Sequence, residues 1–214
     1  YTYVVSAIAP GGAAVSAAPV AVTTHGLTAA PTGVVPTAFS SSQVNLSWTD
    51  AALNETGYRV ERRLTSGTAL TLVANLAAGV TTYSNVGLTA ATGYTYVVSA
   101  IAPGGAAVSA APVAVTTHGL TAAPTGVVAT AFSATQVNLR WTDAATNETG
   151  YRVSRRLTTG TVWTDLAATL PANTTAYNNT GLTAGTGYTY RVSAIAPGGA
   201  LVNSSEFATT TAAK

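Results

Sequence analysis

The chain has no cysteine and no methionine in its 214 residues, and its one lysine is Lys214. Without cysteine there is no disulfide framework and no thiolate to bind zinc or attack a substrate. Folding must then rest on an apolar core, in either redox compartment. Freedom from oxidisable sulfur also suits an exposed life outside the cell. Charge is scarce as well: charged residues make up 7% of the chain, against about 25% in an ordinary globular protein. The nine cationic residues are scattered and form no phosphate-binding stripe, so nucleic acid is not an expected partner. A surface with so few like charges is weakly repelled by copies of itself.

What the sequence has in quantity is repetition. Tyr1 to Val35 returns without a change as Tyr94 to Val128, and a looser copy, YTYRVSAIAPGGALVNSS, begins at Tyr188. Spacings of this size mark a tandem array of one small domain. The expected division is a partial unit at 1–24, a full unit at 30–117 and a second full unit at 123–212. The stretch Val4 to Val22 is apolar enough to pass for a membrane span. It holds Pro10, Gly11, Gly12 and Pro19 among small side chains, which reads as a hairpin.

Within a unit the periodicity is that of strands. Val44, Leu46 and Trp48 alternate with Asn45 and Ser47, and Tyr58 and Val60 alternate with Arg59 and Glu61. Tyr94, Tyr96, Val98 and Ala100 share one face of the longest strand, which Pro103-Gly104-Gly105 turns back on itself. Seven short strands with turn signals and no helical period predict an all-β, two-sheet sandwich in each unit. The second unit repeats the marks at Val137, Leu139, Trp141, Tyr151, Val153, Tyr188 and Tyr190, with a one-residue loop insertion between Trp141 and Tyr177.

The order Val-x-Leu-x-Trp, then Tyr-x-Val, then Leu-x-x-x-Thr-x-Tyr-x-Tyr resembles the fibronectin type III domain. The resemblance implies tandem seven-stranded immunoglobulin-like sandwiches, with Trp48 and Trp141 on the second strand and Tyr94 or Tyr188 as the tyrosine corner. WTDAALNETGYRVERR (Trp48 to Arg63) and WTDAATNETGYRVSRR (Trp141 to Arg156) are similar to the form found in secreted bacterial proteins, where such modules join catalytic or adhesive domains. Animal members that bind integrin carry Arg-Gly-Asp between the last two strands. Here that loop is Ala102-Pro103-Gly104-Gly105-Ala106, so recognition of that kind is not implied.

Two further expectations concern the joints. The linker Thr24 to Pro31, repeated as Thr117 to Pro124, is short, and Leu27 and Leu120 are expected to pack at the junctions and hold the array as a semi-extended rod. Residues 1–24 match only the last two strands of a unit, and a lone hairpin is marginal in water. The expectation is that it needs a cover, from strands of a longer array or from a neighbouring chain.

Residues able to do chemistry are few. His25 and His118 occupy equivalent linker positions and read as linker polar residues. Asp50 and Glu55 recur as Asp143 and Glu148, which suggests turn capping or pairing with Arg59 and Arg152. A calcium site from Asp50, Asn54 and Glu55 lacks the usual ligand density. No catalytic, cofactor-binding or metal-binding residue is therefore assigned, and no cofactor is expected. Trp163, where the first unit has Leu70, is the candidate exposed aromatic contact. The expected function is a non-catalytic structural or interaction array, extracellular or at the cell surface: a stalk, adhesin or self-assembling fibre subunit. Its expected partners are other copies of itself or extracellular polymers. The alternative is a set of spacer modules from a secreted polysaccharide-degrading enzyme, and a carbohydrate-binding role for Trp163 is a third reading.

Overall fold

The structure is a computed structural model that describes residues 1–24 and 26–214. Among the described residues every regular element is a β-strand, as the alternating pattern requires. The first module contains β5 (Thr32–Ala38), β6 (Gln43–Thr49), β7 (Gly57–Leu64), β8 (Thr71–Ala77), β9 (Thr82–Val86), β10 (Gly93–Ile101), β11 (Ala107–Ser109) and β12 (Val113–Thr116). They are preceded by four short strands, β1 (Thr2–Tyr3), β2 (Ser6–Ile8), β3 (Ala14–Ser16) and β4 (Val20–Ala21). One sheet runs β5-β6-β9; the other runs β8-β7-β10, with β11 and β12 sharing the far edge of β10. The second module repeats this order with β13 (Thr125–Ser133), β14 (Gln136–Thr142), β15 (Gly150–Leu157), β16 (Thr164–Leu170), β17 (Ala176–Asn179), β18 (Gly187–Ile195), β19 (Leu201–Asn203) and β20 (Phe207–Thr210).

Each module closes on its own core. Val44, Leu46 and Trp48 from β6 meet Tyr58, Val60, Tyr96, Val98 and Ala100 from the opposite sheet, with Leu88 at one end. Val137, Leu139, Trp141, Tyr151, Val153, Tyr190, Val192 and Ala194 do the same in the second module. Burial of a large apolar side chain contributes roughly 1.5–3 kcal/mol, so these residues dominate the stability of each sandwich. Trp48 and Tyr58 lie tilted at 5.6 Å between ring centroids, as do Trp141 and Tyr151. Gly57 and Gly150 let the crossing strand come close: a Cβ at either would collide with the carbonyl oxygen of Leu76 or Leu170.

The tyrosine corners are present. Thr89 N donates to Tyr94 Oη at 3.0 Å, and Thr183 N donates to Tyr188 Oη at 3.2 Å. The first strand of the module runs Thr32–Ala38, and Pro36 sits on it at the sheet edge, where no ladder donor is needed.

Residues 1–24 are exposed throughout. Ser6 pairs with Ser16 as Ser99 pairs with Ser109, so the hairpin register is common to both copies. The strand that is continuous over Gly93–Ile101 is broken at Val4–Val5 in the first copy. Tyr3 is 60% exposed and its counterpart Tyr96 is 0% exposed, although the flanking sequence is the same.

Candidate functional site

The side chains with acid–base capacity are held by the fold in matching ways in the two modules. Asp50 Oδ1 accepts from Ala52 N, and Asp143 Oδ1 accepts from Ala145 N, each at 3.0 Å. Tyr151 Oη also donates to Asp143. Glu55 accepts from Gly79 N and Glu148 from Asn173 N, each at 3.1 Å, tying the turn before the β9 or β17 strand to the β6–β7 or β14–β15 connection. These carboxylates cap turns. They do not pair with Arg59 and Arg152, which reach Glu61 at 3.4 Å and Asp165 at 3.2 Å.

The proposed calcium trio is divided among separate tasks. Asn54 Nδ2 donates to Gly26 O at 2.7 Å while its Oδ1 accepts from Thr28 Oγ1 at 2.9 Å. Among the described residues no three His, Asp or Glu side chains gather into a metal-binding group.

The linker is held at both ends by polar contacts. His118 N donates to Ser40 O at 3.3 Å, and His118 Nε2 lies 3.2 Å from Ala38 O. On the other side, Asn147 Nδ2 donates to Gly119 O at 2.8 Å and its Oδ1 accepts from Thr121 Oγ1 at 2.9 Å. Gly198, at φ +86°, turns against Phe39 and Ser40 of the first module so closely that a Cβ would meet Ser40 Cβ at 2.9 Å. The expected packing of Leu27 and Leu120 does not occur, because both side chains are exposed. Hydrogen bonds from Asn147 and His118 hold the joint instead. His25 lies outside the described residues.

A buried polar network under the β10 and β18 strands was not legible in the alternation of apolar residues. Asn85 Oδ1 accepts from Tyr96 Oη and Arg62 Nη1, both at 2.8 Å. Asn179 Oδ1 accepts from Tyr190 Oη at 3.0 Å and Arg155 Nη1 at 2.9 Å. The guanidinium groups of Arg62 and Arg155 lie over the rings of Tyr94 and Tyr188 at 4.9 and 4.8 Å. Burial pushes the phenols of Tyr96 and Tyr190 up to about 12, a rise partly opposed by the adjacent arginines. Burial likewise raises Tyr58 and Tyr151, with the Asp50 and Asp143 carboxylates adding to the effect. The one signal for this network in the sequence is the recurrence of Arg62 and Asn85 as Arg155 and Asn179.

Trp163 stands outside both core clusters, on the outward side of the β16-β15-β18 sheet. Its ring is half-buried, with the guanidinium of Arg191 at 4.5 Å and that of Arg156 at 5.3 Å. Cation–π contacts of this kind contribute about 0.5–2 kcal/mol each. Arg156 also donates to Glu206 at 2.8 Å and to Gly160 O at 2.9 Å, so the turn that carries Trp163 is tied to the sheet. In the first module a shallow cleft of about 530 Å³ lies in the corresponding region, lined by Arg62, Arg63, Leu64, Thr71 and Tyr94 among others.

Comparison with known proteins places this geometry. The fibronectin type III domain family matches residues 122–211. Exoglucanase B of Cellulomonas fimi is 34% identical over 180 residues, which is 77% of this chain and 15% of that protein. The chain thus spans a small part of the relative's length. The crystal structure of the chicken CNTN1 FN1–FN3 domains superposes with a TM-score of 0.64 at 16% identity, over 99% of this chain and 77% of that one. A two-domain fibronectin type III segment from chicken tenascin covers 85% of this chain and 98% of its own, with a TM-score of 0.39 and 18% identity. Residues 122–211 match the family, the module before them repeats their sequence and strand order, and the chain is a tandem array of fibronectin type III domains.

Proposed function

We propose that the chain is a non-catalytic structural and interaction array of an extracellular or cell-surface protein, acting as a stalk or adhesive spacer. The observation that carries this reading is the use to which the reactive side chains are put. Asp50, Asp143, Glu55 and Glu148 hold turns, and Asn54 and Asn147 grip the linkers, with equivalent partners in the two modules, while His118 ties the second linker to Ala38. A spacer needs closed modules and a joint of limited freedom, and both are supplied by these contacts. The sparsely charged surface fits association with other copies or with extracellular polymers.

A second reading is favoured by the likeness to part of an exoglucanase. There the same array would be an accessory spacer between the domains of a secreted polysaccharide-degrading enzyme. The flanking sequence separates the two readings: further copies of the repeat favour the stalk, a catalytic domain the enzyme.

Mechanical loading tests the shared claim. Pulled from its ends by single-molecule force spectroscopy, the chain should unfold in two events, one per module. Each should release about 300 Å of chain, at roughly 3.5 Å per residue. Smooth extension without force peaks would contradict the reading.

A further inference from the structure

The two modules are near copies, and the positions where they differ on the outward face of one sheet point to a ligand. Register fixes the equivalences. Ser154 stands opposite Arg191 and Asp165 in the second module, where Glu61 stands opposite Val97 and Leu72 in the first. Leu70 is replaced by Trp163, Leu72 by Asp165, Val97 by Arg191 and Glu61 by Ser154. None of these positions belongs to the packed core cluster of either module, although Val97 is itself buried, and the clusters keep their Trp, Tyr and Val residues in both modules. The first module therefore shows that the fold does not require the Trp163 cluster.

The cluster has a definite chemistry. Both guanidinium groups beside the indole come from neighbouring strands of one sheet, Arg156 on β15 and Arg191 on β18. Arg152 holds Asp165 at 3.2 Å, and Asp165 also accepts from Ser154 Oγ at 2.7 Å. Glu206 holds Arg156 at 2.8 Å. Arg191 Nε, like Arg152 Nε, is buried and has no hydrogen-bond partner among the described residues, so the terminal nitrogens of Arg191 are the ones a ligand would meet. Three arginines against two carboxylates leave this face close to neutral, so it is not built for a polyanion. The exposed large apolar residues nearest in the chain to Trp163 and Arg156 are Val162 and Leu157, and two such side chains are far too little for the centre of a protein interface of about 800 Å² per partner. With the Arg156 and Arg191 guanidinium groups stacked on the indole and the residue half-buried, the remaining exposed aromatic surface beside donors and acceptors matches a pyranose. The C–H face of the sugar lies on the ring, and its hydroxyls meet guanidinium and carboxylate groups.

We propose that the outward face of the second module binds a neutral β-linked polysaccharide, with one sugar ring stacked on Trp163 and its hydroxyls hydrogen-bonded by Arg191 and Asp165. The first module, with Leu70 and Val97 in these places, does not bind. This deepens the array reading by naming the class of extracellular polymer it meets.

Affinity gel electrophoresis of the whole chain in gels containing hydroxyethylcellulose tests the proposal. Trp163→Leu and Arg191→Val each install the residue that the first module already carries, so both variants keep the fold. The wild-type chain should be retarded by the polymer, Trp163→Leu should migrate as in a polymer-free gel, and Arg191→Val should lose at least half of the retardation. Titration with cellohexaose should change the fluorescence of the wild type and leave Trp163→Leu unaltered, because Trp48 and Trp141 are buried. Wild-type mobility indifferent to the polymer, or retardation that survives Trp163→Leu, would overturn the assignment. Failure here is separable from failure of the spacer reading, since the force peaks do not depend on Trp163.

Discussion

Ala91 is an L-residue held at φ +49°, and the equivalent position in the second module is Gly185 at φ +61°. Both backbones make the same turn: Ala91 N donates to His118 O at 3.0 Å and Gly185 N to Ala212 O at 3.1 Å. A Cβ in the left-handed region costs about 1–2 kcal/mol, partly offset by the greater freedom of glycine in the unfolded chain. Ala91→Gly should therefore stabilise the first module by about 0.5–1 kcal/mol, read as a higher urea midpoint for that module. A lower midpoint would show that the turn is unstrained. At this scale the sequence is informative only by comparison. Nothing in Ala-Ala-Thr-Gly announces a positive φ, but the Ala-Gly-Thr-Gly of the second copy does. Trp163 is identifiable as the odd aromatic, yet of the two arginines beside it only Arg156 is near in sequence, and Arg191 lies 28 positions away. The role of Asn85 and Asn179 was hidden for the same reason, because their partners Tyr96, Arg62, Tyr190 and Arg155 are brought in by the opposite sheet.

The β10 and β18 strands carry the largest share of each core, and their tyrosines make that core sensitive to alkali. Folding keeps Tyr96 and Tyr190 protonated up to about pH 12, whereas an unfolded tyrosine loses its proton near pH 10. Above pH 10 the unfolded chain thus binds fewer protons than the folded one, and stability declines as pH rises. The full contribution is present below about pH 10 and is lost as pH passes through 12. In an alkaline titration the phenolate absorbance of the buried tyrosines should appear together with loss of the β-sheet circular dichroism. Titration of all ten tyrosines near pH 10 with the sheet signal intact would contradict this. The strands themselves were legible because alternation at Val44-Leu46-Trp48 and Tyr94-Tyr96-Val98 is a local property. The joint was not. Leu27 and Leu120 are the apolar residues of the linker, and apolarity alone suggested packing. The nearby Asn54 and Asn147 satisfy the linker's polar groups and leave both leucines in solvent.

For the whole molecule, the repeated sequence separates what a segment specifies from what its surroundings supply. The hairpin at residues 1–24 keeps the serine register of its later copy, and Ser6 and Ser16 hydroxyls meet at 2.6 Å as Ser99 and Ser109 meet at 2.9 Å. Continuity of the long strand and burial of its tyrosines come only where β6 and β7 are present to cover them. The linker contacts differ in kind, because Asn54 grips Gly26 and Thr28 as Asn147 grips Gly119 and Thr121. Identical bonds tie each linker to the module that follows it, and at the second joint His118 adds a hold on the module before it; one fixed step between successive modules is the claim on which a spacer function rests. Small-angle scattering from the chain, and from versions lengthened by one and two further copies of residues 94–187, measures the step directly. The maximum dimension should grow by the same amount with each copy, at least about 30 Å, the length of a nine-residue strand. Growth as the cube root of chain length, the mark of modules collapsed into one cluster, would contradict it.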